Sequence, residues 1–243
     1  MKGFSAVLLA LCLLPIAHAQ QPQPTGLGRE FSSQYLRFDG VLTHYVRGGA
    51  GPAIVLLHGF PQDWSEYAKI MPRLAKRFTI VAIDLPGIGA SAPTPDRYDA
   101  AAMASRLCDV VVALNLHGAY LVGHDIGGMV AYAFVRQCPQ VLRGAMILDV
   151  KLPGIAGWDT AQSDPAGWHV RFMQTPGLPE KLPENQIVGR QGEFFDYFFA
   201  LSQFSRAEKA HYTQAYGTLA QLHAAFEIYR AFPANDKFNA SQR

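Results

Sequence analysis

Across residues 33–49, SQYLRFDGVLTHYVRGG, apolar and polar side chains alternate on both sides of Asp39-Gly40. A period of two interrupted by Asp-Gly predicts two antiparallel strands joined by a tight turn. The pattern then changes. AIVLLH, residues 53–58, is apolar without alternation, as expected of a parallel strand covered on both faces. Beyond it the pattern predicts a helix near 64–76, a strand FTIVAID (78–84) and a helix near 99–114. A strand AYLVG (119–123), a helix over 126–137 and a strand LRGAMILDV (142–150) follow. Strands alternating with helices behind an opening hairpin mean an α/β fold, with a mostly parallel sheet and helices on both faces.

Near residue 152 the alternation stops. The Gly- and Pro-rich LPGIAGWDTAQSDPAGWHV and TPGLPEKLPENQ lead into EFFDYFFALSQF and LAQLHAAFEIYRAF, which read as a helical cap emerging behind a core strand. The chain accordingly divides into 1–19, a polar leader 20–30, a core 31–152, the cap 153–232, and 233–243, where the core would resume.

Composition refines this picture. A chain of 243 residues, 49% hydrophobic and 16% charged, suffices for one large α/β core with an inserted lid. A net charge of +2 makes no electrostatic case for nucleic acid or a membrane surface, and a homodimer is allowed. Residues 1–19 have the layout of a signal peptide: Lys2, the short apolar run FSAVLLALCLLPI, then Ala17-His18-Ala19 as a cleavage site. Cleavage there leaves Gln20 first and sends the protein to the periplasm or the medium. Cys12 would leave with the signal. Cys108 and Cys138 sit among apolar helical residues and read as buried free thiols; export permits a disulfide, but their spacing does not point to one.

The chemistry-bearing residues cluster at predicted strand ends. Gly123-His124-Asp125-Ile126-Gly127-Gly128 lies between a strand and a helix, the setting of a nucleophile elbow. Such a turn strains the backbone of its central residue, so small residues must flank it; Gly123 and Gly127 meet that need. The following helix aims backbone N–H groups at the reacting carboxylate. A helix N-cap aspartate is the simpler reading, but flanking glycines and a preceding strand favour a nucleophile. The second cluster is His58-Gly59-Phe60-Pro61, ending the buried strand. A backbone N–H of this loop, at Phe60, would join that of Ile126 in an oxyanion hole. Pro61 would fix the turn, with a cis bond to Phe60 allowed, and His58 reads as a ring supporting the loop. Gly87-Ile88-Gly89-Ala90-Ser91-Ala92 imitates a dinucleotide-binding loop, but Pro93 and Pro95 forbid the helix that motif requires. No cofactor or metal is implied.

HGFP, DLPGIGAS and GHDIGG in this order resemble the α/β-hydrolase superfamily over residues 31–232. The aspartate at the elbow narrows the resemblance to the epoxide hydrolase and dehalogenase branch. It is similar above all to secreted bacterial epoxide hydrolases of the chloride-channel inhibitory factor type, through Trp168-His169 and the stretch from Phe226 to Arg230. The resemblance implies that Asp125 attacks an epoxide carbon of a small apolar substrate, giving an alkyl ester that water cleaves to a diol. His169 and Tyr229 would donate hydrogen bonds to the opening oxygen, and Asp149 would orient the histidine that activates water. That histidine follows the cap in the family, whereas the histidines here are at 18, 44, 58, 117, 124, 169, 211 and 223. The expectation is a chain lacking the last two core strands, inactive or stalled at the ester. Two rivals remain: a non-catalytic, truncated hydrolase domain, or a dehalogenase of the same branch. The dehalogenase reading lacks its usual residues, since Ile126, Met129 and Val170 stand where arginines or tryptophan would hold a carboxylate or halide.

Overall fold

The computed structural model describes residues 26–38, 40–95, 97–158, 167–176, 183–200 and 202–241. The signal-peptide expectation for residues 1–19 lies outside them. Six strands, β1 (Phe31–Phe38), β2 (Val41–Gly48), β3 (Ala53–Leu57), β4 (Thr79–Ile83), β5 (Ala119–His124) and β6 (Leu142–Leu148), form one sheet in the order β1-β2-β4-β3-β5-β6. The β1–β2 and β2–β4 pairs are antiparallel. The β3–β4, β3–β5 and β5–β6 pairs are parallel. The α/β sheet behind an opening hairpin, expected from the strand and helix pattern, is therefore present, with the fold that the motif resemblance implies.

The period of two decides which side chain meets which layer. Ile54 and Leu56 of β3 pack with Trp64, Tyr67 and Met71 on one face. Val55 and Leu57 pack on the other against α2 (Ala100–Ala113) and α3 (Ile126–Gln137), through Leu107, Val111, Val130 and Phe134. Both β3 and β4 are buried along their whole length, which is why β3 reads as an unbroken apolar run and β4 is apolar from Ile80 to Ile83.

Three expectations need correction. The helix near 64–76 is instead a 3-10 turn, Trp64–Tyr67, and a short α1, Met71–Leu74. Pro72 at the start of α1 has no N–H to continue an earlier helix, so the chain restarts there. The strand expected to reach residue 150 ends at Leu148, because Asp149 turns the chain at φ 42°. Third, Cys108 and Cys138 are joined in a disulfide rather than free. The packing of α2 against α3 brings the two Cα atoms to 6.3 Å, a separation suited to the bond that a sequence separation of 30 conceals.

Helices α4 (Trp168–Gln174), α5 (Gln191–Phe199), α6 (Arg206–Gln214) and α7 (Leu219–Arg230) follow β6 in sequence; His211 of α6, Gln221 of α7 and Tyr216 between them meet the loops leaving β3 and β4. Capping boxes start α6 at Ser205 and α7 at Thr218. The last helix, α8 (Phe232–Ser241), returns to the sheet layer, where the Asn235 side-chain oxygen accepts a hydrogen bond from Ala100 N at 2.7 Å. Among the described residues no helix is long and apolar enough to cross a membrane.

Candidate active site

Asp125 is the single residue between β5 and α3, with φ 48° and ψ −122°. Non-glycine residues avoid this region, at a cost of roughly 1–3 kcal/mol. The flanking glycines make the turn sterically feasible. A Cβ on Gly123 would strike the Gly127 carbonyl oxygen, and one on Gly127 would lie 2.5 Å from the carbonyl oxygens of Leu57 and His58. The Asp125 backbone is well used: its N–H donates to Leu148 O at 3.1 Å and its carbonyl accepts from Gly128 N at 2.8 Å. Although Asp125 stands at the N-cap position, its side chain does not cap α3. The carboxylate turns instead to the neighbouring loop, where Oδ2 accepts a hydrogen bond from Phe60 N at 2.9 Å.

That loop is held by its own residues. The His58 ring is fully buried, Nε2 accepts from Leu85 N at 3.0 Å, and Nδ1 lies 3.0 Å from Gly59 O. One nitrogen accepts, so the other carries the proton of a neutral imidazole. His58 thus ties the end of β3 to the end of β4. The Phe60–Pro61 bond is cis. The Phe60 ring packs among Phe195, Phe198, Tyr216 and Tyr229, with centroids 5.3–5.8 Å away.

His169 on α4 and Tyr229 on α7 come together here, their ring centroids 6.3 Å apart. Burial, the largest effect, raises the Asp125 pKa; the Phe60 N–H, His124, the Ile126 N–H and His169 pull it back without cancelling the rise. Burial and then the Asp125 charge push the Tyr229 phenol far above its ordinary value, so it stays a proton donor. Asp125, Phe60, Ile126, His169 and Tyr229 therefore form one constellation. Asp149 stands at its margin: it is exposed at the end of β6, and its charge is felt at His124. His211 and His223 are engaged elsewhere, with Asp63 at 2.8 Å and Glu184 at 2.7 Å.

Sequence reasoning missed Glu66. Its Oε2 accepts from Gly59 N at 2.8 Å, while Oε1 lies 3.0 Å from His124 Nδ1, a close contact off the hydrogen-bonding axis. Nothing in the local pattern marks it; nearness to the HGFP loop is the single available signal. Among the described residues no cluster of three or more His, Cys, Asp or Glu side chains could hold a metal ion.

A sequence model of the alpha/beta hydrolase fold matches residues 52–218, from β3 into the helices beyond β6. The chain belongs to the α/β hydrolase family. The chain is 35% identical over 129 residues to the soluble epoxide hydrolase of Corynebacterium sp. (strain C12), a match covering 53% of this chain and 45% of that protein. It is 34% identical over 160 residues to the fluoroacetate dehalogenase of Burkholderia sp, covering 63% and 52%. The chain spans about half the length of these curated relatives. Among solved structures it is similar to wild-type Cfl2 from Burkholderia cenocepacia, with a TM-score of 0.79 and 31% identity over 91% of this chain and 77% of that one. Within the family it lies with the epoxide hydrolase and dehalogenase branch.

Proposed function

We propose that this hydrolase opens epoxides through an aspartyl ester. The observation carrying the reading is the Asp125 carboxylate, turned out of a strained elbow onto the Phe60 N–H, with a protonated Tyr229 and His169 nearby. An Asp125 oxygen attacks an epoxide carbon, the C–O bond of the ring breaks, and the electron pair goes to the departing oxygen. Tyr229 and His169 donate hydrogen bonds to that oxygen, and one proton passes to it. Water then adds to the Asp125 carboxyl carbon, and the oxyanion so formed faces the N–H groups of Phe60 and Ile126; its collapse breaks the ester C–O bond, the departing oxygen takes up a proton to complete the diol, and the Asp125 carboxylate is restored. This second step needs a base to take the water proton. Asp149, just past β6, is the residue we assign to orient that base. The aromatic surround of Phe60 suits a small apolar substrate.

Dehalogenation is the second reading, because the same ester forms when halide leaves and a fluoroacetate dehalogenase is a relative at 34% identity. Against it, the positions after Asp125 are the buried, apolar Ile126 and Met129, and Val170 follows His169. None of these can hold a halide or a carboxylate. Intact-protein mass spectrometry after exposure to a small epoxide separates the cases. A covalent adduct in the wild type, absent in Asp125→Ser, is expected; an adduct persisting in that variant removes Asp125 from the role. Halide release from fluoroacetate or a haloalkane outpacing epoxide consumption would select the dehalogenase.

We further propose that the protein is exported by its first 19 residues. The Cys108–Cys138 disulfide supports this, since such bonds persist in oxidising compartments.

A further inference from the structure

The oxyanion donor and the nucleophile sit on different segments, and one carboxylate touches both. Glu66 belongs to the 3-10 turn after β3. One of its oxygens accepts the Gly59 N–H, next to Phe60; the other contacts His124, next to Asp125. The Glu66 side chain is 14% exposed and that of His124 26%, so the contact is only partly screened by water. There is no slack: a Cβ on Gly59 would stand 2.7 Å from both Asp125 Cβ and His124 Nδ1. The turn carrying Glu66 is itself fixed, because Trp64 N donates to Asp84 Oδ1 at 2.9 Å and Ser65 N to Asp63 Oδ1 at 2.9 Å.

We propose that Glu66 is a positioning residue, a two-armed brace that holds the Phe60 N–H against the Asp125 carboxylate by gripping the residue beside each. The proposal rests on the reading of Asp125 as nucleophile. The groups facing His124 are Glu66, Asp125 and Asp149; contact with Glu66 raises the imidazole pKa most, against the lowering effect of burial. His124 is consequently a reporter of the brace. It carries more positive charge near neutral pH than a free histidine, and that charge favours the ionised, attacking form of Asp125.

The test uses the full-length protein and a small epoxide, with Glu66→Gln and Glu66→Ala. Glutamine keeps an acceptor for the Gly59 N–H but removes the charge opposite His124; alanine removes both. Two quantities are read: the rate of adduct growth on Asp125, and the NMR titration of the His124 ring. Misplacing reacting groups by about 1 Å can cost about 10²-fold, so Glu66→Ala should slow the adduct by about that much, and Glu66→Gln by less. Both variants should lower the His124 pKa, and Glu66→Gln should move the acid limb of the rate profile upward. A wild-type adduct rate in Glu66→Ala overturns the proposal. So does an unshifted His124 titration in folded Glu66→Gln, which covers the case in which the alanine variant fails to fold. If the wild type forms no adduct, the nucleophile reading falls, while the His124 titration still decides whether Glu66 grips the elbow.

Discussion

Removing one carboxylate from the helical layer should destabilise the protein measurably. Glu184 is fully buried; its Oε1 accepts from His223 Nδ1 at 2.7 Å and from Arg230 Nη1 at 2.9 Å, and its Oε2 accepts from Arg230 Nη2 at 2.7 Å. In Glu184→Ala the guanidinium, only 14% exposed, loses a two-point partner. Breaking a buried ion pair from one side typically costs about 3–5 kcal/mol. Arg230 keeps Glu227 at 2.9 Å and the face of Phe226 at 5.4 Å, which argues for the low end, about 3 kcal/mol. For a chain of this size each kcal/mol moves Tm by about 2–4 °C, so melting followed by circular dichroism should fall by about 6–12 °C. Acid should narrow the gap. Burial would raise the Glu184 pKa, but hydrogen bonds from Arg230 and His223 outweigh it and leave the pKa lowered. Its stabilisation is therefore complete above the ordinary glutamate value and fades as pH falls through the lower, folded value. A Tm drop of less than about 2 °C near pH 7 would refute the reasoning. So would a gap between wild type and variant that widens in acid.

Four further outcomes are expected. Tyr229→Phe should slow adduct formation on Asp125 by about 10²-fold, the usual loss for one oxyanion donor, with the far-ultraviolet spectrum unchanged; a wild-type rate would exclude the phenol. Because burial raises the Asp125 pKa, the acid limb of the alkylation rate should lie above the ordinary aspartate value near 3.9. A rate still flat down to that pH would contradict the buried carboxylate. Peptide mapping without reductant should recover Cys108 linked to Cys138, and reduction should cost up to about 3–4 kcal/mol for a 30-residue loop. Free thiols at both positions in protein isolated without reductant would count against that link. Finally, Gly123→Ala and Gly127→Ala should each abolish the adduct or the fold, since their added methyls would meet backbone carbonyls rather than flexible side chains.

What was legible in the chain follows the range of the forces involved. Strands β3 and β4 announce themselves because burial on both faces leaves β3 wholly apolar and β4 apolar beyond Thr79. The elbow is legible because a strained turn demands glycine at fixed offsets. Partners far apart in sequence leave no such local trace. The Glu184–Arg230 pair joins positions 46 residues apart, and His211 reaches Asp63 across 148. Cys108 and Cys138 show the same blindness, since their pairing depends on how α2 lies against α3. The broken helix after β3 was misread for a different reason. Trp64, Tyr67 and Met71 do fall on one buried face, so the apolar spacing is real, but Pro72 decides where hydrogen bonding must restart.

The helical layer is fastened to the loop that carries the Phe60 N–H. Tyr216 donates to Gln62 O at 2.8 Å, His211 pairs with Asp63 at 2.8 Å, and Gln221 donates to Gly89 O at 2.8 Å. Two of these ties land within three residues of Phe60, whose ring is itself lodged among aromatic residues of α5 and α7. A layer anchored in this way is less a hinged door than a keystone. A substrate held against Asp125 would press on the same loop that aims a proton at Asp125, so substrate shape would be translated into the alignment of the attacking oxygen. Poorly fitting substrates should then lose chemical rate as well as affinity, and engineering of the aromatic surround would be expected to change turnover and binding together.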